Sequence, residues 1–426
     1  MLINTTLKSL NDKKIMNRSI IPKLLFVFIW PFPAMVSVFK DLKSKYLLLF
    51  FMLFAVFVGI NFLEGPNSDM YRYVTSAVYY RDNSFVEIFL EKDFFYPLVS
   101  KLITLISTNF YFITICFTAI YYFIFYKCIK VIADNADPAY QTYLPWFYVL
   151  ALYTVLPFTV VTAFRFNSAV LFFCWCLLEY TLNKKRNFLY LILLTPFIHF
   201  SFLFYTVLPF VFLLIKNLRK RVNLTLLIFG LSVVYSNTNL SGFVDTFSKQ
   251  YLTDSISTQV DAYASEEGQE SNSKRYAKAE KEGSAKRAIN RGIITYSRQI
   301  LMFSLLFFIL KRRRFLMQHK FYEDLMIMAL LSYSLTNFAS SVLHGNRFFS
   351  VSNFYFYFVL FYLLTTVKFS YAQNKKFYHE NKRLFHFISL LIVLNFFNFT
   401  YMAKIVFNLP NLFFGNWLTS YFIING

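Results

Sequence analysis

Long apolar runs alternate with short basic clusters along most of the chain, a pattern typical of a protein that crosses a membrane several times. Most runs come close to the roughly 20 residues that a helix needs to cross the hydrocarbon core of a bilayer. Assigning every basic cluster to the cytoplasm gives one consistent threading of all these runs. The predicted spans are 46–63, 110–126, 142–158, 166–182, 222–236, 293–310, 321–341, 348–367 and 384–402.

Two further apolar stretches run from one basic cluster to the next and do not fit one ordinary span. Residues 188–215 are too long for one span and too short for two at the helical rise of about 1.5 Å per residue. We expect a tight pair of short helices or a re-entrant hairpin that turns near His199. Residues 24–39, interrupted by Pro31 and Pro33, form either a similar hairpin or a true span with the N-terminus outside.

Three polar segments are predicted to face the exterior, namely 64–109, 237–292 and 342–347. The first contains EIFLEKDFFYPLVSKLITLI, which is typical of an interfacial helix. The second is the one long hydrophilic loop, a large external loop that would lie in the periplasm if the chain is a bacterial inner-membrane protein. No internal repeat or soluble linker divides the chain, so we expect a single membrane domain over residues 1–426. The predicted fold class is all-α, a polytopic integral membrane protein of about 10–12 transmembrane helices with one or two short or re-entrant hairpins.

Composition agrees with the membrane class and excludes several others. The 426 residues are 57% apolar or aromatic and 15% charged, whereas a soluble domain has about 45–50% and about 25%. The net charge of +21 lies in clusters between spans, which indicates anionic membrane lipid rather than nucleic acid as the partner. No P-loop, dinucleotide-binding glycine motif, H-E-x-x-H or spaced Cys/His set is present, so we expect no cofactor and no metal.

Charges at the outer ends of spans need an explanation, because burying them in lipid is costly. Asp69 and Arg72 in NSDMYRY share one helix face at i, i+3 spacing, either as a surface ion pair or as part of a site. Arg165 opens the span FRFNSAVLFFCWCLL, where it either snorkels to the membrane surface or binds an anion.

Three arginines lead from the long loop into the next span. Arg287, Arg291 and Arg298 lie within about 40° of one another on a continuous helix. If that helix begins in the external loop, Arg298 lies about 8–10 Å inside the membrane. Such a stripe suits a diphosphate, since arginine offers bidentate donors that stay charged. The alternative is pairing with carboxylates such as Glu280 or Glu282.

Two histidines complete the candidate set. His344 and Arg347 lie one turn apart in the short connection LHGNRF, and His199 lies where a polar ring needs a partner or water. Each histidine alone fits a structural role as well as a functional one. Taken together, the six or seven cationic groups and one acid, all expected on one side of the membrane, predict a cavity for an anionic, lipid-linked substrate approached from the outer leaflet.

The order of these features resembles the EpsG/Wzy-type polysaccharide polymerases of bacterial surface glycan assembly. The matching motifs are NSDMYRY after an early span, AFRFNSAVLFFCWCLLEYTLNKKRNF with Arg165, TPFIHFSF with His199, and HGNRFF with Arg347. The resemblance covers residues 46–215 by motif and the rest by layout. It departs after the mid-chain arginine, where the family often has Gln and this chain has Phe166.

The resemblance implies a membrane glycosyltransferase of GT-C-like architecture in the bacterial inner membrane, with its active site facing the periplasm. It implies polymerisation of oligosaccharide repeat units carried on undecaprenyl diphosphate into O-antigen or a related polysaccharide. The lipid-linked oligosaccharide is both donor and acceptor, and a chain-length regulator is a further partner. An O-antigen ligase and a lipid-linked-oligosaccharide flippase are the alternatives, although a flippase often has a repeat symmetry that is not seen here.

The implied chemistry assigns roles to the candidate residues. Cations must stabilise the departing diphosphate, and a base must take the proton of the attacking hydroxyl. Asp69 is the first choice of catalytic base, positioned by Arg72, and His199 is the second. Arginines replace a metal in this scheme. The residues expected to bind substrate are Arg72, Arg165, Arg287, Arg291, Arg298, His344 and Arg347.

Overall fold

The computed structural model describes residues 20–38, 42, 44–65, 69–91, 93–135, 163–236, 320–340, 345–366 and 407–420, with separate positions between 296 and 311. Within these ranges the regular structure is helical and no β-strand forms; an isolated bridge joins Phe62 and Phe407. This part of the chain is therefore all-α, as the sequence predicts. The chain divides into two compact units, Met1–Leu171 with Phe197–His199 and Phe399–Gly426, and Phe172–Pro196 with Phe200–Asn398.

The α-helices are named here in chain order. The first seven are α1 Ile20–Ile29, α2 Pro31–Val38, α3 Leu47–Ile60, α4 Asp69–Tyr79, α5 Phe85–Leu90, α6 Phe95–Thr104 and α7 Phe110–Asn135. The next five are α8 Phe164–Asn183, α9 Asn187–Leu191, α10 Thr195–Ile198, α11 Val207–Ile215 and α12 Arg221–Tyr235. The last three are α13 Lys320–Ser340, α14 Phe349–Thr366 and α15 Leu409–Phe414. Short 3₁₀ turns are Ile192–Leu194, Phe200–Thr206 and Gly345–Phe348.

In the first unit, α3 and α7 approach each other closely at Gly59. A Cβ atom at Gly59 would lie 2.7 Å from Ile115 Cα and 2.8 Å from Thr118 Oγ1, closer than a side chain tolerates. The hydroxyl of Thr118 donates to the carbonyl of Ala55 at 2.9 Å, and that of Thr114 donates to the carbonyl of Gly59 at 2.8 Å. A small residue facing hydroxyl groups is the kind of contact that joins helices inside membranes.

The C-terminal described segment packs on the N-terminal helices of the same unit. The amide of Asn411 donates to Asn61 Oδ1 at 2.6 Å and to Ser420 Oγ at 2.7 Å. The indole of Trp30 donates to the carbonyl of Phe413 at 2.7 Å. The Asn411–Asn61 bond joins the end of α3 to a residue 350 positions later in the chain, and the Trp30–Phe413 bond spans 383 positions.

In the second unit, α12 and α13 are joined by buried polar groups. The guanidinium of Arg221 donates to Glu323 and to Asp324, each at 2.7 Å. Further along the same helices, the amide of Asn337 donates to Ser232 Oγ at 3.0 Å. Arg221 is buried and paired with two carboxylates, so this member of a basic cluster has a structural role in the second unit.

The two irregular apolar stretches both break where the sequence indicates. The first consists of α1 and α2, which meet at Trp30, because Pro31 is tolerated as the first residue of a helix but not inside one. The second consists of short helical stretches, Asn187–Ile198 and Phe200–Ile215, with His199 between them. Short helices with a break at His199 are what the length of this stretch predicts.

Helix lengths bear on the predicted membrane spans. Of the described helices, α7 alone is both long and apolar enough to cross a membrane, with 26 residues. Leu47–Ile60, Asn187–Ile198, Phe200–Ile215 and Arg221–Tyr235 are apolar but shorter. The predicted spans 142–158 and 384–402, and the long loop 237–292, lie outside the described residues. The count of about 10–12 spans therefore stays a prediction.

Candidate functional site

The turn between α5 and α6 carries an acid that the sequence analysis did not select. We predicted one interfacial helix here, which is wrong, since the stretch forms two helices. The physical reason is Pro97, which lacks an N–H and is tolerated only near a helix start, so that α6 begins at Phe95. The turn thus formed contains Asp93, whose carbonyl accepts from the backbone N–H of Tyr96 at 3.3 Å.

Arg165, in the first turn of α8, forms an ion pair with Asp93. The Asp93 side chain is 13% exposed and the Arg165 side chain is 31% exposed. Salt screens such a pair less than a surface pair. Removing Asp93 would leave Arg165 as a partly buried charge without its carboxylate partner, which is destabilising. Arg165 therefore does not simply extend to the membrane surface, which was one of the two interpretations of its position.

The ring of Tyr96 supports the same guanidinium. The Arg165 Cζ atom lies 5.3 Å from the centroid of the Tyr96 ring, within the range of a cation–π interaction. Tyr96 is buried, and its hydroxyl donates to the carbonyl of Tyr73 in α4 at 2.5 Å. Burial raises the pKa of Tyr96, so the phenol stays protonated and keeps this bond. Arg165 is thus held by both Asp93 and Tyr96.

Arg165 has more N–H donors than Asp93 uses. A guanidinium group carries five N–H donors in a planar fork. Its Nη2 atom donates to Asp93, while Nε is buried and has no hydrogen-bond partner among the described residues. An unpaired buried donor costs about 1–3 kcal/mol. An anion with several oxygens suits such a group, because it can accept from two nitrogens at once.

His199 lies in the neighbourhood of this pair. Its ring is 5.3 Å from that of Phe166, the residue after Arg165. A second ring contact, of 5.2 Å, joins Phe94 and Phe197. Phe94 follows Asp93 directly, and Phe197 lies two residues before His199. Two independent contacts therefore bring the histidine to the elements that carry the ion pair. The Phe166 that departs from the family pattern is the residue that contacts it.

Asp69 and Arg72 form the ion pair that their spacing predicts, in the first turn of α4. The carboxylate also faces the positive end of the helix dipole, which stabilises it. Both side chains are well exposed, at 46% for Asp69 and 71% for Arg72. An exposed pair contributes about 0–1 kcal/mol to stability. One turn further along the helix is Tyr73, which binds Tyr96, so α4 connects the two ion pairs.

The remaining candidates are placed differently. Arg287, Arg291, Arg298 and His344 lie outside the described residues. Arg347 belongs to the second unit, in the 3₁₀ turn Gly345–Phe348, and is partly buried. The carbonyl of Phe348 accepts from Thr336 at 3.2 Å and from Tyr205 at 3.4 Å. Buried hydroxyl groups of the second unit thus hold the backbone beside Arg347.

The described residues contain no group of three or more His, Cys, Asp or Glu side chains that could hold a metal ion. The groups that do come together in the first unit are a guanidinium, a carboxylate, an imidazole and several phenol rings. This set can bind an anion, orient it and accept a proton.

The apolar pattern and the helical fold define the class, a helical membrane protein. The particular family follows from its sequence model, which matches residues 44–423, nearly the whole chain. The chain belongs to the EpsG family, whose members are membrane proteins of polysaccharide biosynthesis. This confirms the resemblance that the motifs indicate. A comparison with curated proteins and one with solved structures gave no match.

Proposed function

We propose that the protein joins oligosaccharide repeat units, carried on undecaprenyl diphosphate, into a surface polysaccharide. Membership of the EpsG family supports a polymerase-type function in polysaccharide synthesis. The observation that carries the specific reaction is the partly buried Arg165–Asp93 pair beside Tyr96. A guanidinium held in place, with donors to spare, suits a diphosphate leaving group.

In the proposed reaction, a hydroxyl oxygen of the incoming unit's non-reducing sugar attacks the anomeric carbon of the growing chain. The new C–O bond forms while the bond from the anomeric carbon to the phosphate oxygen breaks. The electron pair leaves with the diphosphate, and Arg165 stabilises the charge that develops there. The hydroxyl proton passes to a base. Atoms and charge balance without an oxidant, a nucleotide or a further reactant.

Three residues of the first unit have distinct proposed roles around this step. Asp93 positions Arg165, because its carboxylate is the group that fixes the guanidinium. Asp69 remains the first choice of base, since its carboxylate is accessible on α4, the helix that binds Tyr96 through Tyr73. His199 is the second choice, supported by its contact with Phe166 beside Arg165.

Other parts of the proposal rest on the sequence. Arg287, Arg291, Arg298, His344 and Arg347 are proposed as further ligands of the donor or acceptor phosphates. The alternation of apolar runs and basic clusters supports a multi-pass arrangement in the inner membrane with the site facing the periplasm. A chain-length regulator stays a proposed partner. We propose metal-independent transfer because guanidinium groups can supply the positive charge, and excess EDTA is then expected to leave the rate unchanged.

Glycan profiles of a deletion strain distinguish the proposed polymerase from its alternatives. Complementation with the wild type is expected to restore a ladder of chain lengths, whereas Arg165→Ala leaves single repeat units attached to their final acceptor. If the protein were a ligase, inactivating it would leave no attached glycan at all. If it were a flippase, inactivating it would leave lipid-linked units on the cytoplasmic side. Lys130→Ala is the matched control, because Lys130 forms an exposed ion pair with Asp134 away from the site. A full ladder from a stably inserted Arg165→Ala protein contradicts the proposal.

A further inference from the structure

The end of α4 displays two tyrosines beside the candidate site. Tyr79 is 72% exposed, and its ring lies 5.7 Å from that of Tyr80. Tyr80 in turn lies 5.8 Å from the ring of Tyr96, on which Arg165 rests. A continuous row of aromatic rings therefore leads from the surface to the arginine.

A buried lysine fixes the turn that follows these tyrosines. The ammonium group of Lys101 donates to the carbonyls of Arg81 and Asn83, at 2.8 and 2.6 Å. It also lies 5.2 Å from the ring centroid of Phe85. Burying an ammonium group is costly unless its donors are satisfied, and here the turn after α4 satisfies them. The exposed Tyr79 and the half-buried Tyr80 are thus presented on a backbone that is held in place before any ligand binds.

The capping of α5 adds to this rigidity. The Ser84 hydroxyl accepts from the backbone N–H of Glu87 at 3.2 Å, and the Glu87 carboxylate accepts from the N–H of Ser84 at 2.7 Å. This reciprocal arrangement is a capping box. Preorganised surfaces bind more tightly because less conformational freedom is lost on binding.

Polar groups continue the surface along α4. Arg72, Ser76 and Tyr79 are all exposed and lie within about 60° of one another on the helix, over a length of about 10 Å. Burial raises the pKa of the Tyr80 phenol, and the nearby Glu91 carboxylate raises it further. The phenol therefore keeps its proton and stays neutral. We call Arg72, Ser76, Tyr79 and Tyr80 the α4 ledge.

The chemistry of the α4 ledge matches a sugar. A saccharide ring presents a face of C–H groups, which packs on an aromatic ring, and a rim of hydroxyls, which bind carboxylate, guanidinium and hydroxyl groups. A lipid surface would instead favour a continuous apolar face. Such a face is found on α5, where Val86 and Leu90 are exposed, whereas the α4 ledge combines two polar residues with two tyrosines.

We propose that the α4 ledge is a saccharide-binding site that holds the acceptor oligosaccharide with its reactive end toward Arg165. The inference rests on the proposed function, because it places the acceptor beside the donor's diphosphate. Binding of sugar to the ledge is nevertheless separable from transfer, since it needs neither lipid nor diphosphate. Tyr79 and Tyr80 are the residues that pack against the sugar rings.

The test uses the full-length protein in lipid nanodiscs. The probe is the lipid-free repeat-unit oligosaccharide, released by mild acid from the source strain's lipid-linked pool. Saturation-transfer NMR titrations give its dissociation constant for the wild type and for Tyr79→Ala. We expect about tenfold weaker binding for Tyr79→Ala and for Tyr80→Ala, and less than threefold for Tyr79→Phe. Tyr190→Ala is the matched control, because Tyr190 is equally exposed, at 72%, and lies in the other unit.

Each outcome has one interpretation. Wild-type affinity in Tyr79→Ala, which removes an exposed ring and leaves the fold intact, overturns the saccharide site. Equally weakened oligosaccharide binding in Tyr190→Ala also overturns the saccharide site, since any exposed tyrosine would then affect binding to the same extent. Failure of the proposed function is recognised separately, as a full glycan ladder from Arg165→Ala in a protein that still binds the oligosaccharide.

Discussion

Arg165 and Asp93, 72 residues apart in the chain, form an ion pair in which the arginine is also supported by a buried tyrosine ring. The carboxylate holds the guanidinium with the same kind of acceptor atom that a phosphate presents. The substrate therefore meets an arginine whose orientation is already fixed, which is the condition for electrostatic stabilisation of a leaving group.

Changing Asp93 is expected to impair turnover more than binding. Asp93→Ala leaves Arg165 charged but unoriented, and we expect kcat to fall about 100-fold while KM for the lipid-linked donor changes less than threefold. Asp93→Glu is expected to recover part of the rate, because it restores the charge. Steady-state transfer assays with purified donor measure both constants. A loss confined to KM would show that Asp93 binds substrate and does not position Arg165.

The two proposed bases give different results on substitution. Asp69→Asn removes a proton acceptor without changing its shape, and loss of a general base lowers the rate about 10²–10⁴-fold. His199→Gln is expected to lower it less than tenfold. Single-turnover rates at saturating donor and acceptor make the comparison. If His199→Gln lowered the rate more than Asp69→Asn, His199 and not Asp69 would be the base.

Gly59→Ala is expected to destabilise the first unit. Its Cβ atom would meet the backbone of α7 at Ile115 Cα, so the helices must separate, at a cost of about 1–3 kcal/mol. A lower melting temperature of the detergent-solubilised Gly59→Ala protein would show this loss of stability. Gly230→Ala is the control, since nothing lies within 4 Å of a Cβ there and alanine favours a helix. Equal melting temperatures for the two variants would mean that α3 and α7 are not in close contact.

Arg221→Ala is expected to destabilise the second unit by about 3–5 kcal/mol, because Glu323 loses its poorly exposed partner and Asp324 keeps only Lys184, at 3.9 Å. Lys220→Ala, next in the chain but exposed, is expected to have little effect. Denaturant unfolding followed by circular dichroism compares the two. Similar small changes in both variants would mean that Arg221 is exposed to solvent and does not pair with the two carboxylates.

The sequence predicts features that depend on near neighbours. The pairing of Asp69 with Arg72 follows from helical spacing, and the start of α8 beside Arg165 follows from the beginning of an apolar run. The break at His199 follows from a length that fits neither one span nor two. The order of the motifs along the chain indicates the EpsG family, which the family model confirms over residues 44–423.

Contacts between distant residues are not predicted from the same signals. Asp93 is missed because its partner lies 72 residues away and because EKDFFYP has the composition of an interfacial helix. In retrospect, Pro97 inside that stretch signals the turn that presents the acid. Arg221 is missed because a basic cluster has the same sequence whether its side chains are solvated or paired. Both pairings join residues that are brought together only by packing.

The most direct test of the central claim is the transfer rate of purified Arg165→Ala protein with the lipid-linked oligosaccharide. Loss of the cation that stabilises the departing diphosphate is expected to lower kcat at least 100-fold. Arg165→Lys is expected to retain an intermediate rate, because it keeps the charge and loses the planar fork. Transfer by Arg165→Ala at the rate of the Lys130→Ala control, with both proteins folded, would contradict the role of Arg165 in catalysis.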